Sequence, residues 1–526
     1  MEEDHAELLD RSDRAPYEGE HRLDTGGSSV EISSSVKLFS LCACFNSCTV
    51  GYDQGAAVHC GRLIQGELGL SNLERGMFMT ILFVFMIIGA LGSPLISDRV
   101  GRRAALACSS YIYLMGAVMM TFASSFWAIL FGRAVSGLGA GLGFSVDSMY
   151  IAEMAPAAHR GALVTWSYIG LTLGLMMGAS TGLIFSSLEE TIRWRVMLGI
   201  GMIFPIVVII TSVKVMKETP RFLIQAKRSK EARIALSMIY PLDYSVGAVL
   251  EGMREALLRD RMSQEGRGWS IILRPTRAFR RMLRLGWGIS FVSQAVGVDA
   301  ITYYMLDVMS DSGVEQTTMQ CASLIGFTVI KLQCIAISSR LLDRVGRRMV
   351  LFISLTGLTA SLLMIGSSFY LSDVDQPVVA MVGLGLYMAF YGIGLGPVSQ
   401  LLPVEVFATS IRAKALSISV IIGRGTAAIM SATLLVWSDA VSWPEVFFTL
   451  AGISSVSGLL LYCYLPETKG ISLEGMTLYF AEVTNDSSLI EAEKKIREDD
   501  DKDRTGDGGG YQRRAQMDGG TRMLRV

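Results

Sequence analysis

Apolar residues in this chain gather into runs of about twenty, the length an α-helix needs to cross the hydrocarbon core of a bilayer. Twelve runs qualify: Val36–Val58, Met77–Ser97, Ala104–Ser124, Trp127–Tyr150, Ala162–Ser186, Val196–Met216, Leu283–Met309, Met319–Leu341, Met349–Tyr370, Val378–Leu402, Ala413–Trp437 and Pro444–Tyr464. They predict an all-α membrane protein with six helices on each side of a polar middle segment. That segment carries helix-like stretches at Lys230–Tyr240 and Val246–Arg261.

The polar turns between the runs repeat. Asp98-Arg-Val-Gly-Arg-Arg103 returns unchanged as Asp343-Arg-Val-Gly-Arg-Arg348, an offset of 343 − 98 = 245. Glu153 precedes Arg160 by seven positions, and Glu405 precedes Arg412 by the same interval. Glu218-Thr-Pro-Arg221 is echoed by Glu467-Thr-Lys-Gly470. Three charged signatures in one order at nearly one offset predict two similar halves, which can rock against each other around a central site.

Composition agrees. Only 18% of residues are charged and 51% are hydrophobic, against about 25% charged in soluble domains. A net charge of −1 gives no reason to expect a nucleic-acid partner. Basic residues mark one side: Arg99, Arg102 and Arg103; Arg160; Arg344, Arg347 and Arg348; Arg412 and Lys414; and the middle segment from Arg221 to Arg284. The opposite turn at Leu371–Pro377 carries Asp373 and Asp375 instead. The excess of Lys and Arg assigns the basic side, with both termini, to the cytosol. The expected division is an N-terminal tail (1–35), a first bundle (36–216), a linker (217–282), a second bundle (283–465) and a C-terminal tail (466–526), the tails polar and largely disordered. The acidic N-terminus is unlike a cleavable signal peptide. Eight cysteines and four histidines show no metal-ligand spacing, so no metal or cofactor is expected.

Charge inside a membrane helix is costly and marks function unless it reaches the interface. Five such residues stand out: Asp53 in the first run, Arg133 in the fourth, Asp299 in the seventh, Lys331 in the eighth and Arg424 in the eleventh. Asp53 is expected to pair with Arg133, and Asp299 with Lys331. Arg133, near its helix end, is the one most open to a plain interfacial reading. The seventh run, Ser293-Gln-Ala-Val-Gly-Val-Asp-Ala-Ile-Thr-Tyr-Tyr304, puts Gln294, Asp299, Tyr303 and Tyr304 around Gly297. Amides, carboxylates and aromatic rings suit a polyhydroxylated ligand, and a glycine-kinked helix with packing contacts is the alternative. Gly137-Leu-Gly-Ala-Gly-Leu-Gly143 predicts close helix packing rather than a nucleotide loop.

From about Gly51 to Gly470 the chain resembles the sugar porter family of the major facilitator superfamily. The resemblance rests on Gly51-Tyr-Asp53, both Asp-Arg-Val-Gly-Arg-Arg copies, Gly132-Arg133, Tyr150-Ile-Ala-Glu-Met-Ala-Pro156, Glu218-Thr-Pro-Arg221 and Pro466-Glu-Thr-Lys-Gly470. It implies two six-helix bundles and alternating access. Asp53 and Arg133 match a proton-coupling pair, and facilitative members tend to carry a neutral residue at the Asp53 position. Gly297-Val-Asp299, Lys331 and Arg424 look most like the plant-type polyol and monosaccharide transporters. By that likeness Gln294, Asp299, Tyr303 and Tyr304 meet substrate hydroxyls, with Lys331 fixing Asp299 and Arg424 nearby. Three positions depart from the family pattern: Ser293 replaces a glutamine, Tyr168 stands at a polar position of helix 5, and Gln400 replaces a tryptophan of helix 10. Asp147 has no evident counterpart.

The basic-side charges, Asp98, Arg102, Glu153, Arg160, Glu218 and Arg221 with Asp343, Arg347, Glu405, Arg412 and Glu467, resemble the family's salt-bridge networks that latch the two halves when the carrier faces outward. The resulting expectation is a carrier of a small polyhydroxylated solute, coupled to protons and acting as a monomer in the plasma membrane. A facilitative sugar or inositol uniporter and a non-transporting nutrient sensor are the alternatives. No nucleophile–base pair suggests an enzyme.

Overall fold

The computed structural model describes residues 33–155, 160–240, 274–407 and 411–468, with isolated positions between 246 and 272 and between 476 and 484. The helices run in the expected order: α1 (Ser34–Leu68), α2 (Asn72–Val100), α3 (Arg102–Thr121), α4 (Phe126–Met154) and α5 (Arg160–Ile184). The sixth span is α6 (Glu190–Ile200) with α7 (Ile203–Lys214), and the short α8 (Pro220–Gln225) and α9 (Ser229–Ile239) follow. The seventh is broken into α10 (Arg277–Ala295), α11 (Val298–Tyr303) and α12 (Met305–Asp311). Then come α13 (Thr317–Val345), α14 (Arg347–Ser368), α15 (Asp375–Phe390) and α16 (Gly396–Val406), joined by a π-helical turn (Tyr391–Leu395), and finally α17 (Arg412–Val441) and α18 (Trp443–Tyr464). The expected helix Val246–Arg261 lies largely outside the described residues.

Among the described residues, ten helices are long and apolar enough to cross a membrane. The first and seventh spans fall short for physical reasons. α1 is long, but Asn46, Ser47, Thr49, Asp53, Gln54 and His59 lie buried along it, so its polar content serves the interior rather than lipid. The seventh span is not the single helix predicted. Gly297 adopts φ +86°, which ends α10 and restarts the chain as α11. The hydroxyl of Tyr387 donates to the freed carbonyl of Val296 at 2.9 Å, satisfying what the break exposes.

The small residues of α4 let its neighbours approach to backbone contact. A Cβ on Gly141 would stand 2.0 Å from the carbonyl oxygen of Met86 on α2, and one on Gly139 would stand 2.7 Å from that of Ser109 on α3. The glycine-rich string is a packing device, as its composition predicts.

The repeated turns fold alike. Gly101 (φ +95°, ψ +162°) and Gly346 (φ +97°, ψ +163°) share a conformation available essentially only to glycine. Each turn presents its next N–H to a distant acid. Arg102 N donates to Glu218 Oε1 and Arg347 N to Glu467 Oε1, both at 2.9 Å.

Candidate solute and proton site

Asp53 comes from the middle of α1 and Arg133 from the second turn of α4. Both are buried, Arg133 completely, which removes the interfacial reading of that arginine. Their closest approach is Nη1–Oδ2 at 3.3 Å. The Tyr113 hydroxyl donates to Asp53 Oδ1 at 3.2 Å, and Arg133 Nε donates to the Phe78 carbonyl at 2.6 Å. The guanidinium also lies 4.2 Å from the Phe78 ring centroid. Arg133 Nη2 and Asp53 Oδ2 make no hydrogen bond, so this buried pair is held but not saturated.

The seventh span places its polar residues differently from expectation. The ion-pair contact of Asp299 is with Arg424 on α17, Nη1–Oδ2 3.6 Å, while Lys331, the expected partner, stays within electrostatic reach of that carboxyl without an ion-pair contact. Lys331 is buried on α13 and directs its ammonium at the Tyr391 ring, 5.3 Å from the centroid. Tyr391 opens the π-helical turn Tyr391–Leu395, which packs against α13. Arg424 also meets two rings of the first six spans, Phe144 at 4.8 Å and Phe83 at 5.9 Å.

Tyr303 is fully buried against Phe83, ring centroids 5.8 Å apart, and lies within electrostatic reach of both Asp53–Arg133 and Asp299–Arg424. Its hydroxyl, Gln294 Oε1 and Asp299 Oδ2 are buried without hydrogen-bond partners. Tyr168 on α5 brings its hydroxyl against Gly396 and Tyr391. One expected site residue is committed elsewhere. The Tyr304 hydroxyl donates to the Ser431 carbonyl at 2.8 Å and its ring lies under Arg75, while Gln400 is exposed on α16.

The basic-side residues form two matching networks. Arg102 pairs with Asp98 at 3.1 Å and with Glu153 at 3.2 Å, and Thr219 Oγ1 donates to Glu153 at 2.6 Å. In the second copy Arg347 pairs with Glu405 at 3.0 Å, and Thr468 Oγ1 donates to Glu405 at 2.6 Å. Burial pushes the Glu218 carboxyl above its ordinary value, against the pull of N–H groups from Thr219, Arg103 and Arg102. Arg412 donates to the Phe407 carbonyl at 3.1 Å, and Arg221 is exposed on α8. The side chains of Arg160 and Asp343 lie outside the described residues. Each described ion pair of this set joins residues of the same six-span group. These pairs brace each half from within.

A cross-half latch does exist at the opposite end, and sequence reasoning missed it. Arg62 at the end of α1 and Arg75 at the start of α2 both bind Asp307 on α12, at 3.0 and 2.6 Å. Arg62 also donates to Ser310 at 2.9 Å. Asn72 reaches Asp439 at 2.7 Å, and Thr80 donates to the Ala428 carbonyl. These residues look like ordinary interfacial charges at helix ends. The one signal available was Asp307, a second acid within the seventh run.

The arrangement defines a class: a two-fold repeated membrane carrier with paired charges at its centre. Residues 36–480 match the family described as Sugar (and other) transporter, and the chain belongs to that family. It is a multi-pass membrane transporter rather than an enzyme, with the twelve-helix major facilitator fold. Similar curated proteins include probable polyol transporter 4 of Arabidopsis thaliana, 30% identical over 455 residues, covering 85% of this chain and 86% of that one. Polyol transporter 5 of the same plant is 29% identical over 461 residues, with 84% and 85% covered. Among solved structures, the xylose transporter XylE from E. coli in a partially occluded inward-open conformation superposes with a TM-score of 0.72 at 22% identity, covering 84% of this chain and 100% of that one.

Proposed function

We propose that the protein is a proton-coupled symporter of a monosaccharide or polyol, working by alternating access. The observation that carries the reading is the buried, unsaturated Asp53–Arg133 pair, linked through Tyr303 to the polar groups of the seventh span. Protonating Asp53 removes its Coulombic hold on Arg133. The guanidinium keeps its bond to the Phe78 carbonyl but no longer clamps α1 to α4, and the first bundle rearranges around bound solute. Tyr303, Gln294 and Asp299 supply donor and acceptor atoms for hydroxyl groups, and Arg424 holds the Asp299 carboxylate.

In this reading residues 36–216 and 283–465 are the moving bundles and 217–282 the cytosolic linker. The basic side and both termini face the cytosol, and the plasma membrane is the site of action of a monomer. The Arg62–Arg75–Asp307 cluster then closes the outer side. Each proton that moves inward through about 100 mV adds about 2.3 kcal/mol to accumulation.

The test is uptake of a labelled sugar and polyol panel into proteoliposomes, with and without an imposed pH gradient. Symport predicts concentration of at least one solute above equilibrium only when the gradient is present. Equal uptake in both conditions makes the protein a uniporter, and binding without uptake makes it a sensor.

A further inference from the structure

The coupling scheme leaves one buried acid unused. Asp147 on α4 is completely buried, and no cation among the described residues reaches it. An ionised carboxylate there would carry a desolvation cost that no counter-ion offsets, only hydrogen-bond donors. Its surroundings are hydroxyl and amide groups on two helices. Ser47 of α1, itself wholly buried, donates a short hydrogen bond to Oδ2, and Ser148 donates to Oδ1 at 3.0 Å. Asn46 faces the same carboxyl, and its Nδ2 has no hydrogen-bond partner. The other titratable groups facing it are the thiols of Cys44 and Cys48 on α1. Gly143, one turn earlier on α4, allows the approach, since a Cβ there would stand 2.5 Å from Asn46 Oδ1.

The two serines are not equivalent. Ser47 lies six positions before Asp53 on α1, about 9 Å towards the basic side. Ser148 is half-buried, one turn after Phe144, whose ring meets Arg424 of the second bundle. Residues four apart share a helix face, so Ser148 looks towards the space between the bundles. One hydroxyl ties Asp147 to the helix that carries Asp53, and the other leads out.

We infer that Asp147 is a second proton-binding carboxyl, which takes protons released by Asp53 and passes them through Ser148 to the basic side. This rests on the symport reading. In each turnover the Asp147 O–H proton leaves to water at Ser148, and the anion is held by O–H and N–H donors of Ser47, Ser148 and Asn46. The proton leaving Asp53 then restores the acid, and Asp53 returns to Arg133 as a carboxylate. A helix-to-helix hydrogen bond with no proton role is the competing account, and an amide would serve it equally well.

The test uses the full chain in proteoliposomes with a pH dye inside. Asp147→Asn is expected to keep solute counterflow and the dependence on outside pH. It is expected to lose the slowing of uptake by an acid interior and to cut net proton entry by about tenfold. Wild-type dependence on interior pH in Asp147→Asn overturns the inference. Should that variant not fold, Ser148→Ala retains the carboxyl: a protonated-carboxyl infrared band that shifts in Ser148→Ala supports the site, and none that shifts overturns it. Solute transport by the wild type with no proton movement defeats the symport reading and the relay together. Intact coupling with an unaffected Asp147→Asn defeats the relay alone.

Discussion

Replacing Asp53 by Asn keeps the shape of the side chain and removes its charge, leaving Arg133 buried without a counter-ion. Proton-driven accumulation is expected to vanish while counterflow continues, measured as labelled solute retained with and without a pH gradient. Asp299 tests side-chain geometry at the same scale. Its partner in space is Arg424, so a double-mutant cycle of Asp299→Asn with Arg424→Gln should show coupling of about 1–3 kcal/mol in thermal stability. The cycle with Lys331→Met should show a smaller coupling, since Lys331 feels the Asp299 charge without an ion-pair contact. The reverse order would restore the expected Lys331 pairing. Sequence could not decide between the two cations, because each is a single positive charge on a neighbouring span. Which one contacts Asp299 is set by how the spans pack: Arg424 reaches it at 3.6 Å, and Lys331 faces the Tyr391 ring. Asp53 and Arg133 were legible because the first half carries a single membrane cation, and the other acid, Asp147, lies on the same helix as that cation.

The helices reward the pattern of apolar runs, and they depart from it where the backbone is interrupted. The seventh span breaks at Gly297 because that residue's φ of +86° is unavailable at low cost to other residues. A run of apolar letters carries no mark of such a break beyond the glycine itself. The repeated turns were readable because both copies keep the same glycine and arginines. Gly101→Ala would hold a side chain at φ +95° and push its Cβ to 2.3 Å from Glu218 Oε2. A loss of about 1–3 kcal/mol follows from the backbone strain alone, read as a lower melting temperature in detergent, and Gly346→Ala should behave alike. Burial raises the Glu218 carboxyl, so the folded state holds its proton to higher pH than the unfolded chain. Its contribution is greatest at low pH and declines as pH rises from the ordinary carboxylate value through the folded one. Glu218→Gln should flatten that part of the stability profile, and an unchanged slope would count against the assignment.

At the scale of the whole molecule, the two halves touch through charges at one end, and at the other the described motif pairs Arg102–Glu153 and Arg347–Glu405 each lie within one half. Asp307 answers two arginines of the first half and is only slightly exposed. Asp307→Asn should therefore favour the arrangement open at that end, raising the labelling of a cysteine placed at position 310 by about fivefold or more. Unchanged labelling would mean that the latch contributes nothing to the balance of states. The duplicated architecture was visible in three motif pairs, whereas this closure was not, because Arg62, Arg75 and Asp307 have no repeated counterparts to flag them. The central claim is that solute moves with protons through Asp53. Its most direct measurement is the pH inside dye-loaded proteoliposomes on adding solute outside, for the wild type and for Asp53→Asn. The interior should acidify with the wild type and stay constant with the variant, while both exchange labelled solute; equal acidification in the two, or none in the wild type, contradicts the account.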